Sequence, residues 1–379
     1  MLLAGITSVY AAQGSVSVTK IRNFKPGYTG YFEIHISGSD NLYQAFQCDI
    51  TLPDGLTYLD FEKGNLCNGH TILTSAQPSG KRRFTVAANP VANFNDMNGE
   101  VFTVYFTVSS TASGTLTGGL LSGVYGSIGS TNYTFDDVTF SIEVGNTITL
   151  DEDEKRTPAN VEGVNVEVFH HFSAGKWSTL CLPFGMTAEQ ITNAFGSNVK
   201  IGEFNNYDFD EDQNTAKITV NFKQVDDALQ ANKPYIVKVA DDVESFSVTD
   251  ATVNIAYSDN PYINFGSKLN AKNARAMIGV YKLTELDEDY LYIKDNTYKY
   301  STGKSKLKPY HAYFWLNDFE SPDVSLSRQF EIKFEDETMG IINNRRTVSD
   351  GHYYDLMGNA VETPHKGIYL KDGKKVVVK

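Results

Sequence analysis

A chain of 379 residues, 41% hydrophobic and 21% charged, is long enough for two or three domains and too apolar to be disordered throughout. Its 46 Asp and Glu against 33 Lys and Arg give a net charge of −13, which repels phosphate backbones and excludes nucleic acid as a natural partner. The 22 Tyr and 23 Phe suit pleated, half-buried surfaces, and no stretch reaches the roughly 20 apolar residues of a membrane helix.

Met1 to Ala12 is a short apolar stretch ending in Val9-Tyr10-Ala11, an A-x-A-like site. It reads as the remnant of a secretory signal peptide without its basic n-region, with an ordinary first strand as the alternative. Alternating runs follow: Tyr31 to Ile36, Phe46 to Leu52, Arg83 to Val86 and Val101 to Val108. Lys25-Pro26-Gly27, Pro53-Asp54-Gly55, Pro78-Ser79-Gly80 and Asn98-Gly99 separate them as turns. That spacing predicts an antiparallel sandwich, and the small residues from Ser109 to Gly119 read as a connection near its end. The three cysteines are Cys48, Cys67 and Cys181. Cys48 and Cys181 sit among apolar neighbours and read as small buried hydrophobes, with a Cys48–Cys67 bridge as the alternative in an oxidising compartment. No CxxC pair occurs, which excludes a zinc ribbon or a redox motif of that kind.

The order of Lys25-Pro26-Gly27, Leu52-Pro53-Asp54-Gly55-Leu56, Phe84 to Ala88 and Gly99 to Phe106 resembles the cohesin-like family, a jelly-roll sandwich akin to carbohydrate-binding modules. The resemblance covers about a third of the chain and implies a binding module. Within it Tyr28, Tyr31 and Tyr43 are candidates for an aromatic platform that stacks on sugar faces.

The run Asp151 to Arg156, followed by Thr157-Pro158, reads as a linker or an exposed turn. Beyond it, Thr187 to Phe195 is the clearest helix signal: Thr187 caps, Gln190 completes a capping box, and Ile191, Ala194 and Phe195 share a face. Strands are predicted at Lys217 to Phe222, Pro234 to Val239, Ala276 to Tyr281, Tyr290 to Ile293, Ala312 to Leu316 and Phe330 to Phe334. Asp208, Asp210 and Asp212 alternate as at the start of a calcium loop. An EF-hand, however, would need Gly at Gln213 and Glu at Thr219, so a solvated acidic turn is the preferred reading. Tyr257 and Tyr262 are further candidates for a sugar platform. This block resembles a module of surface and leucine-rich-repeat proteins of Gram-negative anaerobes, through Trp177 to Phe184, Asn232 to Val237 and His311 to Leu316. That resemblance implies a cell-envelope or extracellular location and transfers no catalytic residue.

The last residues read Tyr354-Asp355-Leu356-Met357-Gly358, then Lys366-Gly367-Ile368-Tyr369, then Gly373-Lys374-Lys375 and a final Lys379. They resemble the C-terminal sorting domain of type IX secretion cargo, which implies a sorting role for Tyr354, Asp355, Gly358, Gly367, Tyr369, Gly373, Lys375 and Lys379. Asn359-Ala360 stand where that family has a basic pair. Asp372-Gly373 between alternating runs signals a hairpin. Residues 366–379 hold five Lys against one Asp, in contrast to the acidic body.

No HExxH, GxSxG or P-loop occurs. His170 and His171 are adjacent, so a regular strand points them to opposite faces and they cannot share a metal. The expectation is an all-β chain: residues 1–12 a signal remnant, 13–147 a cohesin-like sandwich, 148–340 a second all-β domain with one short helix, and 341–379 a small β-hairpin module. The resemblances imply a non-catalytic protein, secreted or on the outer surface of a Gram-negative bacterium, for adhesion, protein docking or glycan binding. The alternatives are a carbohydrate-binding component of a polysaccharide-utilisation system, and a hydrolase accessory chain or an enzyme with an unrecognised site. No cofactor is expected, with calcium at the Asp208 cluster as the exception weighed. The expected partners are a surface protein or glycan, and the secretion machinery through the tail.

Overall fold

Inward aromatic and aliphatic residues alternate with outward polar ones along strands such as Ala45–Thr51 and Arg82–Ala87, and that period of two builds one layer of a two-layer sandwich, whereas Thr29–Ser37 and Gly99–Val108 in the other layer are buried on both sides. The computed structural model describes residues 13–211, 215–255, 275–294, 296–316, 327–334, 353–354, 360–361, 367–371 and 374–378. The Met1 to Ala12 signal reading and Tyr257 and Tyr262 therefore lie outside the described residues. The first sheet has the order β1 (Ser15–Arg22), β2 (Thr29–Ser37), β7 (Gly99–Val108), β4 (Leu56–Lys63). The second has the order β10 (Val138–Val144), β8 (Gly114–Ile128), β3 (Ala45–Thr51), β6 (Arg82–Ala87), β5 (Thr71–Ala76), with β9 (Thr131–Thr134) added to β8. All these pairings are antiparallel.

Between the two layers lie Phe32, Ile34, Phe46, Cys48, Ile50, Phe84, Val86, Phe102, Val104 and Phe106. The predicted turns close the strands. Leu56 N–H donates to Pro53 O at 3.3 Å with Gly55 at φ 92°, a value that favours glycine. The small-residue run from Ser109 is only briefly a connection, because β8 begins at Gly114. All three cysteines are free and buried. Cys67 Sγ lies 2.8 Å from Val101 O, inside the same core as Cys48.

The second block stacks three layers. The outer layer is β11 (Thr147–Asp151), β12 (Val161–Phe172) and β19 (Val243–Val253), with β11 parallel to β12. The central layer has the order β13 (Trp177–Cys181), β18 (Pro234–Lys238), β15 (Lys200–Glu211), β16 (Thr215–Gln224), β24 (Ser327–Phe334). The last layer has the order β20 (Arg275–Gly279), β23 (Ala312–Leu316), β21 (Thr284–Lys294), β22 (Thr297–Leu307). A two-stranded piece pairs β14 (Met186–Thr187) with β17 (Ala228–Leu229). β18 shows why the central layer reads as a continuous apolar run. Tyr235 and Val237 pack towards β12, whereas Ile236 joins Phe204, Phe222, Met277 and Phe314 on the other side.

The helix α1 (Ala188–Phe195) forms as its sequence predicts. Thr187 Oγ1 accepts from Gln190 N–H at 3.3 Å, and Gln190 Oε1 accepts from Thr187 N–H at 2.9 Å. Its buried face, Ile191 and Phe195, meets Phe172 and Phe246.

Residues 335–379 are a separate compact unit. Its sheet has the order β26 (Ala360–Val361), β25 (Tyr353–Tyr354), β27 (Gly367–Lys371), β28 (Lys374–Val378). Lys371 pairs with Lys374, so the predicted hairpin closes across two residues, as Asp-Gly favours.

Candidate docking face and buried polar cluster

The two faces of the sandwich have different fates. The outward side of β2 and β7 carries Tyr31, Glu33, Thr103 and Tyr105, and all four are buried. Glu33 meets Lys20 and His35, and the two tyrosines lie under the run from Asp151 to Arg156. Arg156 lies 3.6 Å over the Tyr105 ring, and it pairs with Glu62 at 2.6 Å and Asp60 at 3.0 Å. Lys155 pairs with Glu100 at 3.0 Å. Arg22 pairs with Asp151 and sits 4.3 Å over the Phe169 ring. Tyr28 Oη donates to Ala159 O at 2.9 Å and accepts from Ala159 N–H at 3.0 Å. The expectation of a linker or an exposed turn is corrected here: opposite charges on the sandwich hold this run down as a strap. Burial, followed by the Asp151 charge, pushes the Glu154 carboxyl up to about 8.

The other face is open. Across β5, β6, β3 and β8 the register aligns Leu73, Thr85, Gln47 and Tyr125 in one row. Beside it run Ser75, Arg83 and Asp49. Leu73 is 67% exposed. Arg83 grips Asp49 through two hydrogen bonds, of 2.7 and 2.8 Å, which fixes a charge pair beside the uncharged row, with the Lys81 ammonium near it on Ser122 Oγ at 3.1 Å.

The Arg83 hydrogen bond holds the Asp49 carboxyl below its ordinary range. A carboxylate lowered in the fold adds stability above its unfolded pKa of about 3.9, and that stability is lost as pH falls through the lower folded value. The melting-temperature difference between wild type and Asp49→Asn is therefore expected to shrink below about pH 4. Thermal melts across the acid range measure it, and a difference that stays constant with pH contradicts the assignment.

A second arrangement lies where the strap meets the second block. Glu152 follows β11, His170 is on β12 and His311 precedes β23. Their ligand-type atoms all lie within 4.8 Å of one another. Glu152 Oε2 is 3.3 Å from His170 Nδ1 and 3.3 Å from His311 Nε2. Glu152 Oε1 accepts from Lys308 Nζ at 2.9 Å. His311 Nδ1 is 3.3 Å from Thr179 Oγ1, which accepts from Ala312 N–H at 2.9 Å. Burial keeps the His170 imidazole well below its ordinary pKa, hence neutral. Burial pushes the Glu152 carboxyl up, but bonding from His311 and Lys308 outweighs it and holds the group ionised. A groove of about 490 Å³, lined in part by Trp177, Tyr292, Lys308 and His311, opens beside the cluster.

The residues singled out in the sequence fall elsewhere. Tyr28 is buried at the strap, and Tyr31 is 4% and Tyr43 1% exposed. Tyr43 is a core residue that donates from Oη to Gln13 O at 2.8 Å. None of these three rings offers a free face for a sugar, because the strap or the second sheet already occupies it. Asp208 accepts from Asn221 Nδ2 at 2.8 Å and stands on a long hairpin opposite Thr219. Asp210 pairs in register with Lys217, and Asp212 lies outside the described residues. In the tail Tyr354, Gly367, Tyr369 and Lys375 lie on strands, whereas Asp355, Gly358, Gly373 and Lys379 lie outside the described residues. His170 and His171 do point apart, the first buried and the second exposed. The partner that adjacency could not supply is His311, far along the chain.

Comparison with known proteins gives no matching family model and no matching curated protein. Among solved structures, the chain is similar to a non-cellulosomal cohesin from Archaeoglobus fulgidus, with 16% identity and a TM-score of 0.28, over 35% of this chain and 91% of that one. It is also similar to the sixth cohesin of scaffoldin B from Acetivibrio cellulolyticus, solved in complex with a Cel5 dockerin, with 16% identity and a TM-score of 0.31, over 35% and 100%. A C-terminal fragment of the major pilin of Streptococcus agalactiae matches at 10% identity and a TM-score of 0.26, over 85% and 98%. Among the described residues no helix is long and apolar enough to cross a membrane.

Proposed function

We propose that the chain is a non-catalytic docking or adhesion protein of the cell surface, and that the open face of the sandwich is its contact surface. The observation that carries this reading is the asymmetry of the two faces. The chain's own strap seals one, while the other presents a row of four aligned side chains centred on uncharged residues and flanked by a fixed ion pair. A flat surface with few free charges and an exposed Leu suits a protein partner, because little charge has to be desolvated there.

Full-length chain probed against arrays of extracellular proteins and of glycans tests this. Binding to a protein that Leu73→Asp removes while the melting temperature holds supports the reading. Binding to glycans that Leu73→Asp leaves unchanged would favour the carbohydrate-binding alternative instead.

The tail, in this proposal, is a type IX sorting signal. Its support is the set of sequence anchors together with a compact unit of its own. Deleting residues 351–379 is expected to leave the melting of the larger unit little changed and to stop surface delivery in a host with type IX secretion. A truncated protein that still reaches the surface would remove the sorting role.

A further inference from the structure

We propose that Glu152, His170 and His311 form a binding site for a divalent transition-metal ion of the zinc class, joining the strap to the second block. The first argument is the donor set. Two imidazole nitrogens and one carboxylate oxygen, with an open side, are the ligands of an incompletely closed zinc site. The second is spacing. Bonds of about 2.0–2.1 Å in a tetrahedron place ligand atoms about 3.3 Å apart. Glu152 Oε2 stands 3.3 Å from each of the two imidazole nitrogens, and all three ligand atoms lie within 4.8 Å of one another, so binding would draw the two imidazoles onto the ion.

The third argument is independent of both. The His170 side chain is 0% exposed, and its ring nitrogens are poorly served: Nδ1 has Glu152 Oε2 at 3.3 Å outside good hydrogen-bond geometry, and the Thr179 backbone is the one other polar group acting on the ring. An imidazole so placed forfeits the hydration of both nitrogens, and a buried polar group without a good partner calls for an ion or a water. Its Nδ1 faces Glu152 Oε2, the oxygen that His311 also faces.

The surroundings orient the other two ligands. Thr179 Oγ1 engages His311 Nδ1. Without an ion the Nε2 proton faces Glu152 Oε2, and a bound ion would take that proton's place, the ring then carrying its proton on Nδ1 towards Thr179 and offering the Nε2 lone pair. Lys308 takes the other carboxylate oxygen and also reaches Asp153 at 2.8 Å, so Oε2 is the oxygen left facing the imidazoles. The His171 N–H also approaches Oε2, at 3.4 Å. The Lys308 charge opposes a cation, and the two carboxylates beside it offset that repulsion. A bound ion would tie the end of β11, the buried face of β12 and the start of β23 at one point.

The test is titration of the metal-free full chain with Zn2+ by calorimetry, with thermal melts in Zn2+ and in EDTA. One ion bound per chain at the highest-affinity step is expected, with a melting temperature raised by Zn2+ and lowered by EDTA. His311→Gln and Glu152→Gln, both at partly exposed positions, are expected to weaken that step at least tenfold while keeping the strand signature in circular dichroism. If one variant fails to fold, the other decides. Wild-type protein that binds no Zn2+ would overturn the proposal and leave a buried water as the partner of His170. Variants that bind Zn2+ as tightly as wild type would overturn it equally, since the ion would then sit on other groups, such as His352 or His365.

Discussion

Arg22→Ala is expected to cost about 3–5 kcal/mol, the range for removing one partner of a buried ion pair. The Arg22 side chain is 15% exposed and that of Asp151 9%, so the carboxylate left behind cannot be fully rehydrated. Asp151 would keep only the Asp153 N–H at 2.8 Å. The loss also takes the guanidinium off the Phe169 ring and exposes the buried Glu154 carboxyl to an unopposed neighbour. Because the pair joins the sandwich to the second block, wild type is expected to unfold these parts in one transition and the variant in two. Differential scanning calorimetry reads both effects. Arg22→Lys keeps the charge but loses the planar stacking, and should fall between them. A variant within about 0.5 kcal/mol of wild type and with one transition would show that the strap does not couple the two parts.

Phe84→Ala is the second large change. Phe84 is 0% exposed and lies where three aromatic contacts meet. It stacks on Phe102 at 4.7 Å and 18°, and meets the rings of Tyr58 at 6.0 Å and Phe61 at 5.8 Å edge-on. These partners belong to the opposite sheet, so the ring joins the two layers. Truncation removes its transfer energy and leaves a cavity, together about 3–5 kcal/mol. Phe84→Leu fills much of that space and should cost clearly less. Urea unfolding at a constant m-value would confirm that the loss is one of stability. A cost below about 1 kcal/mol would mean that the layers collapse around the gap.

Much of the fold was readable because its signals are local. Thr187 and Gln190 lie three residues apart and each side chain bonds to the other's backbone, so the helix start is written in four residues. The strand periods, and the pairing of Lys371 with Lys374 that the hairpin signal predicts, are local in the same way. The strap was not readable, since six charged residues in a row look like a solvated turn until the opposing Glu62, Glu100 and Arg22 are brought beside them. Tyr28, Tyr31 and Tyr43 show the same limit. Alternation predicts which face a tyrosine takes, but only the packing of another segment decides whether that face meets water. The polar cluster has no sequence signature at all, because Glu152, His170 and His311 come from three separate places in the second block.

The parallel pairing of β24 with β16 also governs the order in which the chain can mature. Every residue from Thr215 to Phe222 waits for a partner between Ser327 and Phe334. Phe334 then completes the aromatic stack with Trp177 at 5.3 Å and Phe222 at 6.0 Å. The sandwich, by contrast, has all its strands by Val144. A chain emerging from its N-terminus can therefore finish the first layer pair early, while the central sheet of the second block stays with an open edge until nearly the whole larger unit has emerged. That open edge is where a stalled chain would pair with its neighbours, and so where synthesis most needs a chaperone.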